Sequence, residues 1–376
     1  MSDGVFGDLA ATLSAPWETL AFGLLLLIAP AIAEPLHRRW HLPSLIVCLV
    51  ITLFSPSAAI AYTAAAVGTF VHARGAWSST RTGAVWLSVS GVLAIGAAAA
   101  MQMGQLTLAF ILSIIAIALR AGVLPLNAGV ASLCDRAPVV QTQQLASSFA
   151  LVFIHLRFVD HHAAAVAMGP GLVRFGAFAA LLAALITLVS RDLRGFYRGT
   201  TAMHGGMLFA AVGAASIGNF AAALLVAITM GLALGGLGMM ITSLEERVGP
   251  VVYRGPGGRV GAFPRLSAAF VLFAGAGVGL PGTAGFVADD LLLHTLWMES
   301  PASTVAVILS SALLAVATLI CFSKTFLGRT TPSRAPDLYP TERLVAVVLV
   351  LLLLVLGFFP GLLLTPADAF LTPIPG

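Results

Sequence analysis

The chain has 376 residues, of which 59% are apolar and only 9% charged. Soluble domains carry roughly 25% charge, so the composition excludes a soluble globular protein, a disordered chain and a nucleic-acid binder. The 19 basic residues are 18 Arg and a single Lys, Lys324. Apolar runs of about 20 residues recur, each long enough to cross a roughly 30 Å hydrocarbon layer.

The sequence therefore predicts an all-α, polytopic membrane protein with about 11–13 transmembrane helices. Residues 1–16 have no basic stretch ahead of an apolar one, so no cleavable signal peptide is expected. Phe6, Leu9, Leu13 and Trp17 recur at spacings of three and four, which predicts a short interfacial segment with one apolar face. A first span follows at 17–33, ended by the polar stretch Glu34 to His41. The run 43–73 is interrupted by Ser55-Pro56-Ser57 and reads as two short helices, or as one long kinked helix. Further spans are predicted at 82–102, 106–122, 139–158, 171–190, 200–217, 219–243, 264–282, 303–327 and 342–364, with a shorter apolar piece at 285–298. Strand-like alternation of useful length is absent.

Two stretches read as broken helices, near 120–127 and 280–290. The first is Arg120-Ala121-Gly122-Val123-Leu124-Pro125-Leu126-Asn127, and the second runs from Gly277 through Pro281 and Gly285 to Phe286. Pro and Gly free backbone groups, which a membrane tolerates only beside protein or a water-filled cavity. A pair of such interruptions points to an ion pathway. A plain proline kink, or a loop between ordinary spans, is the alternative on spacing alone.

Most arginines fall in 34–41, 74–81, 191–198 and 244–265. The span count places these four stretches on one side, expected to be cytoplasmic. It places 328–341, with Arg329 and Arg334, on the other side against that rule. Cys48, Cys134 and Cys321 lack metal or disulfide spacing. Neither a metal site nor a cofactor site is expected. Small residues at 94–100, 163–167 and at Gly231, Gly235 and Gly238 suit close helix contact, within this bundle or against another subunit.

The stretch Asp192-Leu193-Arg194-Gly195-Phe196-Tyr197-Arg198-Gly199-Thr200-Thr201-Ala202-Met203-His204-Gly205-Gly206 resembles a recurrent segment of a known family. That family comprises the antiporter-like membrane subunits of respiratory complex I, the Mrp antiporters and the membrane-bound hydrogenases, with the membrane subunit of DAB-type inorganic-carbon transporters. Three further segments agree in order: Arg120 to Leu126 with Ala137-Pro138, Leu280 to Asp290, and Lys324 to Arg329. The resemblance covers about 60–364 and implies two inverted five-helix repeats, each holding a broken helix. On this basis the chain divides into an interfacial segment 1–16, a shortened first repeat with its preceding helices 17–170, a second repeat 171–327, and a C-terminal part 328–376. In the family, protons or cations are thought to pass along buried Glu, Lys and His. Buried lysine suits that work because desolvation brings its proton within reach of exchange.

Departures from the family pattern narrow what is expected here. Arg120 stands at the place of a lysine, and guanidinium does not deprotonate in proteins. Ala288 stands at the place of the second lysine, and no Glu or Asp occurs between Glu34 and Asp135. The expected ion-pathway candidates are Arg120 as a fixed charge, His204, Asp289, Asp290, His294 and Lys324. Asp290 and His294 share a helical face, His204 opens a span, and Lys324 is expected to snorkel to the interface. His155, Arg157, Asp160, His161 and His162 read as an interfacial cluster, and Glu245, Glu246 and Arg247 as a solvated loop. An intrinsic catalytic site is not expected.

The expected function is a membrane subunit of a multi-subunit proton- or cation-translocating complex, with a depleted relay and a half-channel or structural role. Its partners would be other membrane and peripheral subunits and the lipid bilayer, with no nucleic acid, in a bacterial inner membrane. A redox-driven oxidoreductase complex is one such setting. The alternatives are the membrane subunit of an inorganic-carbon uptake complex and a stand-alone secondary transporter.

Overall fold

The computed structural model describes residues 42–55, 57–136, 138–159, 162–215, 220–255, 257–329, 333 and 335–362. The interfacial segment 1–16, the span 17–33 and the stretch 34–41 lie outside the described residues, as do Asp160, His161 and Arg334.

The described chain is nearly all helical. Two short helices, α1 (Leu42–Phe54) and α2 (Ala58–Ala76), replace the single kinked alternative for 43–73. Then come α3 (Arg81–Gln102), α4 (Leu106–Ala121), α5 (Ala128–Arg136), α6 (Pro138–Phe158), α7 (Ala163–Leu188) and α8 (Leu193–Ala215). One continuous rod follows, made of α9 (Phe220–Thr229), a π-helical turn at Met230–Leu234, and α10 (Gly235–Val248). The chain continues with α11 (Pro264–Val278), α12 (Ala284–Glu299), α13 (Pro301–Phe326) and α14 (Pro340–Phe358). Among the described helices, five are long and apolar enough to cross a membrane alone: 81–102, 163–188, 220–248, 301–326 and 340–358. Several shorter apolar helices complete the set, two of them the first halves of broken helices.

Helix boundaries differ from the sequence expectation in two instructive places. α7 begins at 163, not 171, and runs through Pro170 and through the expected division at 170/171. α8 begins at Leu193, not 200. Asp192 acts as its N-cap, accepting from the Gly195 amide at 2.5 Å. Leu193 is fully buried. Arg194 donates to Glu245 at 2.6 Å and to the Cys134 carbonyl at 2.7 Å. Each residue of the Asp-Leu-Arg segment thus has a structural task at one helix start.

The contacts between loops settle which ones share a side. Leu193 donates to the Val251 carbonyl and Tyr253 to that of Arg191, so 191–193 and 251–253 are neighbours. Thr80 bonds to Ser132. Gly258 donates to Leu327, and Arg265 and Leu266 donate their amides to the Asp337 carboxylate at 2.7 and 3.1 Å. The loop 328–341 therefore lies on the same side as 244–265. The sequence count had separated them by treating 264–282 and 285–298 as two crossings. In the structure α11 and α12 cross once, as two halves of one broken helix. We call this arginine-bearing side A and the opposite one side B. Arg157, at the side-B end of α6, is the exception among the described loop and helix-end arginines.

Glycines set the helix spacing at the centre. A Cβ added to Gly206 or Gly176 would strike the backbone of the facing helix, so α7 and α8 are in backbone contact. Hydrocarbon offers no hydrophobic drive between helices, and close approach through small residues supplies packing instead. Gly238 leaves room for the Tyr197 ring, whose hydroxyl donates to the Leu234 carbonyl at 2.8 Å beside the π turn.

Arg247 corrects the expectation of a solvated loop at 245–247. Its guanidinium meets Glu342 through Nη2–Oε2 at 2.6 Å and Nη1–Oε1 at 3.2 Å. Ser243 donates to Glu342 Oε1 at 2.7 Å and the Tyr339 amide to Oε2 at 2.8 Å. Both charged side chains are largely buried, at 4% and 11% exposure. Two predictions follow from this packing. Replacing Glu342 by Ala leaves Arg247 buried without its carboxylate and costs about 3 kcal/mol, read as a lower melting temperature in detergent. Gly205→Val, at a contact described below, costs about 1–3 kcal/mol by overpacking, whereas Gly75→Ala, with open space at its Cβ, leaves the melting temperature unchanged or slightly higher.

Candidate intramembrane ion site

The two breaks have the same local construction. α4 ends on Gly122 at φ 71° and α11 on Gly279 at φ 86°, both left-handed. The next residue closes the turn in each case: Val123 donates to Ala118 at 3.1 Å and Leu280 to Gly275 at 2.9 Å. This six-to-one bond is the Schellman ending, for which Gly is favoured. A Leu-Pro pair follows in both, Leu124-Pro125 and Leu280-Pro281, and proline denies the helix its next amide. Chain reversal does not occur. After 122–127 the first helix resumes as α5, and after 279–283 the second resumes as α12. Gly285 sits against the Ala276 carbonyl, where a Cβ would collide, so the second break is closely packed.

Both breaks converge on the middle of α8. A Cβ on Gly205 would collide with the Ala121 carbonyl, in the last turn of α4. The neighbouring His204 reaches the other break. Its Nε2 lies 2.7 Å from the Gly277 carbonyl oxygen, and its Nδ1 lies 2.8 Å from that of Thr200. His204 is buried. Both partners are acceptors. A neutral imidazole has one N–H and can bond to one of them, whereas imidazolium bonds to both. Imidazolium and the neutral tautomer protonated at Nε2 both keep the link between α8 and the second break, whereas the tautomer protonated at Nδ1 bonds only to Thr200 within α8. Contrary to expectation, His204 lies in the middle of its helix, because α8 starts two turns earlier than the sequence suggests.

Asp289 lies in the second turn of α12 and is partly buried. Its Oδ2 would lie 2.7 Å from a Cβ built on Gly279, so the carboxylate faces the end of α11. Asp289 and His204 therefore border the same break, Asp289 beside Gly279 and His204 beside Gly277. Asp290 and His294 do not join them. Both are exposed on the outer face of α12. Lys324 is exposed in the last turn of α13, as a snorkelling lysine would be.

The first break carries Arg120, 1% exposed. It donates to the Thr69 hydroxyl, and its Nη2 lies 3.4 Å from His72 Nδ1. Both neighbours are side chains of α2, so hydrogen bonds tie the end of α4 to α2 at this break. His155 is fully buried and bonded to Ser113, which removes it from the expected interfacial cluster. Arg157 does sit at a helix end, donating to the carbonyls of Leu53 and Ser55 at 3.2 and 3.0 Å. The sequence signal for His155 was its place within an unbroken apolar run, from Phe149 to Leu156. Among the described residues no group of three or more His, Cys, Asp or Glu is arranged to hold a metal ion.

The chain is similar to known proteins in sequence and in fold. A family model described as NADH:quinone oxidoreductase/Mrp antiporter, TM, matches residues 39–315. NADH-quinone oxidoreductase subunit M of Escherichia coli (strain K12) is 25% identical over 256 residues, covering 65% of this chain and 50% of that protein. NADH-quinone oxidoreductase subunit 13 of Thermus thermophilus is 30% identical over 196 residues, covering 52% and 42%. The chain spans about half the length of the curated relatives it matches. A chain in the structure of respiratory complex I from Thermus thermophilus with bound NADH superposes at TM-score 0.80 and 20% identity, over 95% of this chain and 84% of that one. A chain of the Mrp complex from Dietzia sp. DQ12-45-1b superposes at TM-score 0.72 and 17% identity, over 94% and 81%. These superpositions establish the fold. The multi-pass, all-helical architecture, the paired breaks and the family match over 39–315 together show that the chain belongs to the NADH:quinone oxidoreductase/Mrp antiporter transmembrane family.

Proposed function

We propose that this chain is the antiporter-like membrane subunit of a multi-subunit proton- or cation-translocating complex, in a bacterial cytoplasmic membrane with side A facing the cytoplasm. The observation that carries this reading is the second break, bordered by His204 and Asp289, two groups able to gain and lose a proton. Intramembrane ionisable residues mark ion pathways by default. A proton reaching His204 completes its bonds to both carbonyls, and Asp289 offers an acceptor across the break. Arg120 keeps its proton and serves as a fixed positive charge at the first break. The translocating chemistry is thus concentrated in the second half, and Asp290 and His294 are left out of it.

Those two residues support the partner half of the reading. They lie one turn apart on an exposed face of α12, with Phe286 at 46% and Trp297 at 57% exposure. Ionisable groups facing lipid are costly within the hydrocarbon layer, so a neighbouring membrane subunit covers them. Arginine on side A fits the cytoplasmic orientation. The family relationship favours a complex of this type over inorganic-carbon uptake or a stand-alone carrier.

Two experiments test the proposal. In the intact complex reconstituted into liposomes, Asp289→Asn and His204→Gln each lower proton flux on the order of tenfold or more, while assembly is unchanged. Flux equal to that of the unaltered complex in both variants would refute the second-half pathway. Replacing Asp290 and His294 together by Leu weakens retention of partner subunits on a native gel and leaves the melting temperature of the separated chain unaltered. Undiminished co-purification would refute the partner assignment of that face.

A further inference from the structure

α2 and α4 run in the same direction and carry two polar rungs between them. Tyr62 OH lies 2.8 Å from Ser113 Oγ, and Thr69 Oγ1 accepts from Arg120. The partners in each rung are 51 residues apart, and the rungs are seven residues apart on both helices. Seven residues of helix put them about 10 Å apart along the axis. The Thr69–Arg120 rung lies at the first break. The Tyr62–Ser113 rung lies towards side B, near the start of α2.

The side-B rung has a third member. Ser113 Oγ is 2.9 Å from His155 Nδ1, on the last turn of α6. Tyr62, Ser113 and His155 are all fully buried, from three different helices. Phe110 packs against the imidazole with ring centroids 5.2 Å apart. Two residues further along α6, Arg157 holds the carbonyls of Leu53 and Ser55 at the side-B end of α1. The chemistry of the members differs. Arginine does not give up its proton in a protein, whereas a hydroxyl both donates and accepts, and a neutral imidazole takes a second proton at its unprotonated ring nitrogen.

We propose that His155 is a proton-binding station in the first half of the chain, loaded through the hydroxyl pair Tyr62 and Ser113. In the loading step Tyr62 passes its hydroxyl proton to Ser113 Oγ. Ser113 passes its own proton to His155 Nδ1, and Tyr62 takes a replacement from an aqueous proton. Each hydroxyl gains one proton and loses one. The ring becomes imidazolium, and no electrons move. Discharge runs along the same hydroxyls in reverse. The first half then retains a group that can titrate, although Arg120 at its break cannot. This inference rests on the proposed proton-translocating role of the complex.

The test uses the complex isolated from its native membrane and reconstituted into liposomes. Proton uptake under an imposed membrane potential is read with a pH-sensitive dye. His155→Gln keeps an amide to bond Ser113 but cannot accept a second proton. It is expected to lower flux at least about fivefold, with normal assembly and melting. Tyr62→Phe and Ser113→Ala are expected to do the same, and Ser113→Thr, which keeps the hydroxyl, to retain flux. A merely structural role predicts that His155→Gln conducts like the unaltered complex, and that result overturns the proposal. If His155→Gln does not assemble, Tyr62→Phe, which removes one oxygen, decides by the same criterion. Loss of flux in Asp289→Asn with full flux in the Tyr62, Ser113 and His155 variants refutes this station alone. An unaltered complex that carries no protons refutes the translocation role as well.

Discussion

The approach of α8 to the two broken helices is the constraint on which the rest of the structure depends. Gly205 lets the backbone of α8 touch the last turn of α4. His204, its neighbour, bonds to the last turn of α11. Two interrupted helices, each ending on a left-handed Gly and a nearby Leu-Pro pair, are thereby held against adjoining faces of one helix. A third face of α8 meets α7 through Gly206 and Gly176, again backbone against backbone. A larger side chain at 205 or 206 would separate elements whose exposed carbonyls rely on that contact, because hydrocarbon cannot satisfy them.

Around this centre the ionisable side chains differ in depth. His72, His155 and His204 are buried and Asp289 partly so, whereas Asp290, His294 and Lys324 are exposed. Several arginines are fastened by directed bonds. Arg120 is held by Thr69 and His72. Arg194, Arg198 and Arg247 on side A pair with Glu245, Asp135 and Glu342. The prevalence of arginine over lysine has a physical consequence. Guanidinium forms several directed bonds at once, as Arg247 does with Glu342, Ser243 and Pro336. It therefore fastens loops and helix ends.

The loops on side A complete the frame. Asp337 accepts the first amides of α11 from 71 and 72 residues away, acting as a cap supplied by a distant loop. Glu342 draws α10 and α14 together at the same end. The second broken helix is thus secured at its side-A end by the Asp337 cap and at its break by His204. Side B carries fewer such contacts among the described residues, with Arg157 at the α1 end as the main one.

Composition, periodicity and the order of short segments determined the all-α membrane class, most of the spans and both breaks. They suffice because these features are local: an apolar run is as long as the bilayer is thick, and Gly followed by Leu-Pro interrupts a helix wherever it falls. The tertiary structure alone decided what depends on distant partners. His204 and His155 look like ordinary histidines in the sequence, and their partners lie 73 and 42 residues away. Arg247 reads as solvated until Glu342, 95 residues on, is brought against it. Two apolar pieces at 264–282 and 285–298 look like two crossings, and only packing shows them as halves of one. Local sequence specifies where a membrane helix starts and breaks. Which polar side chains meet inside the bundle is specified by the helices' mutual packing, which no single stretch of sequence contains.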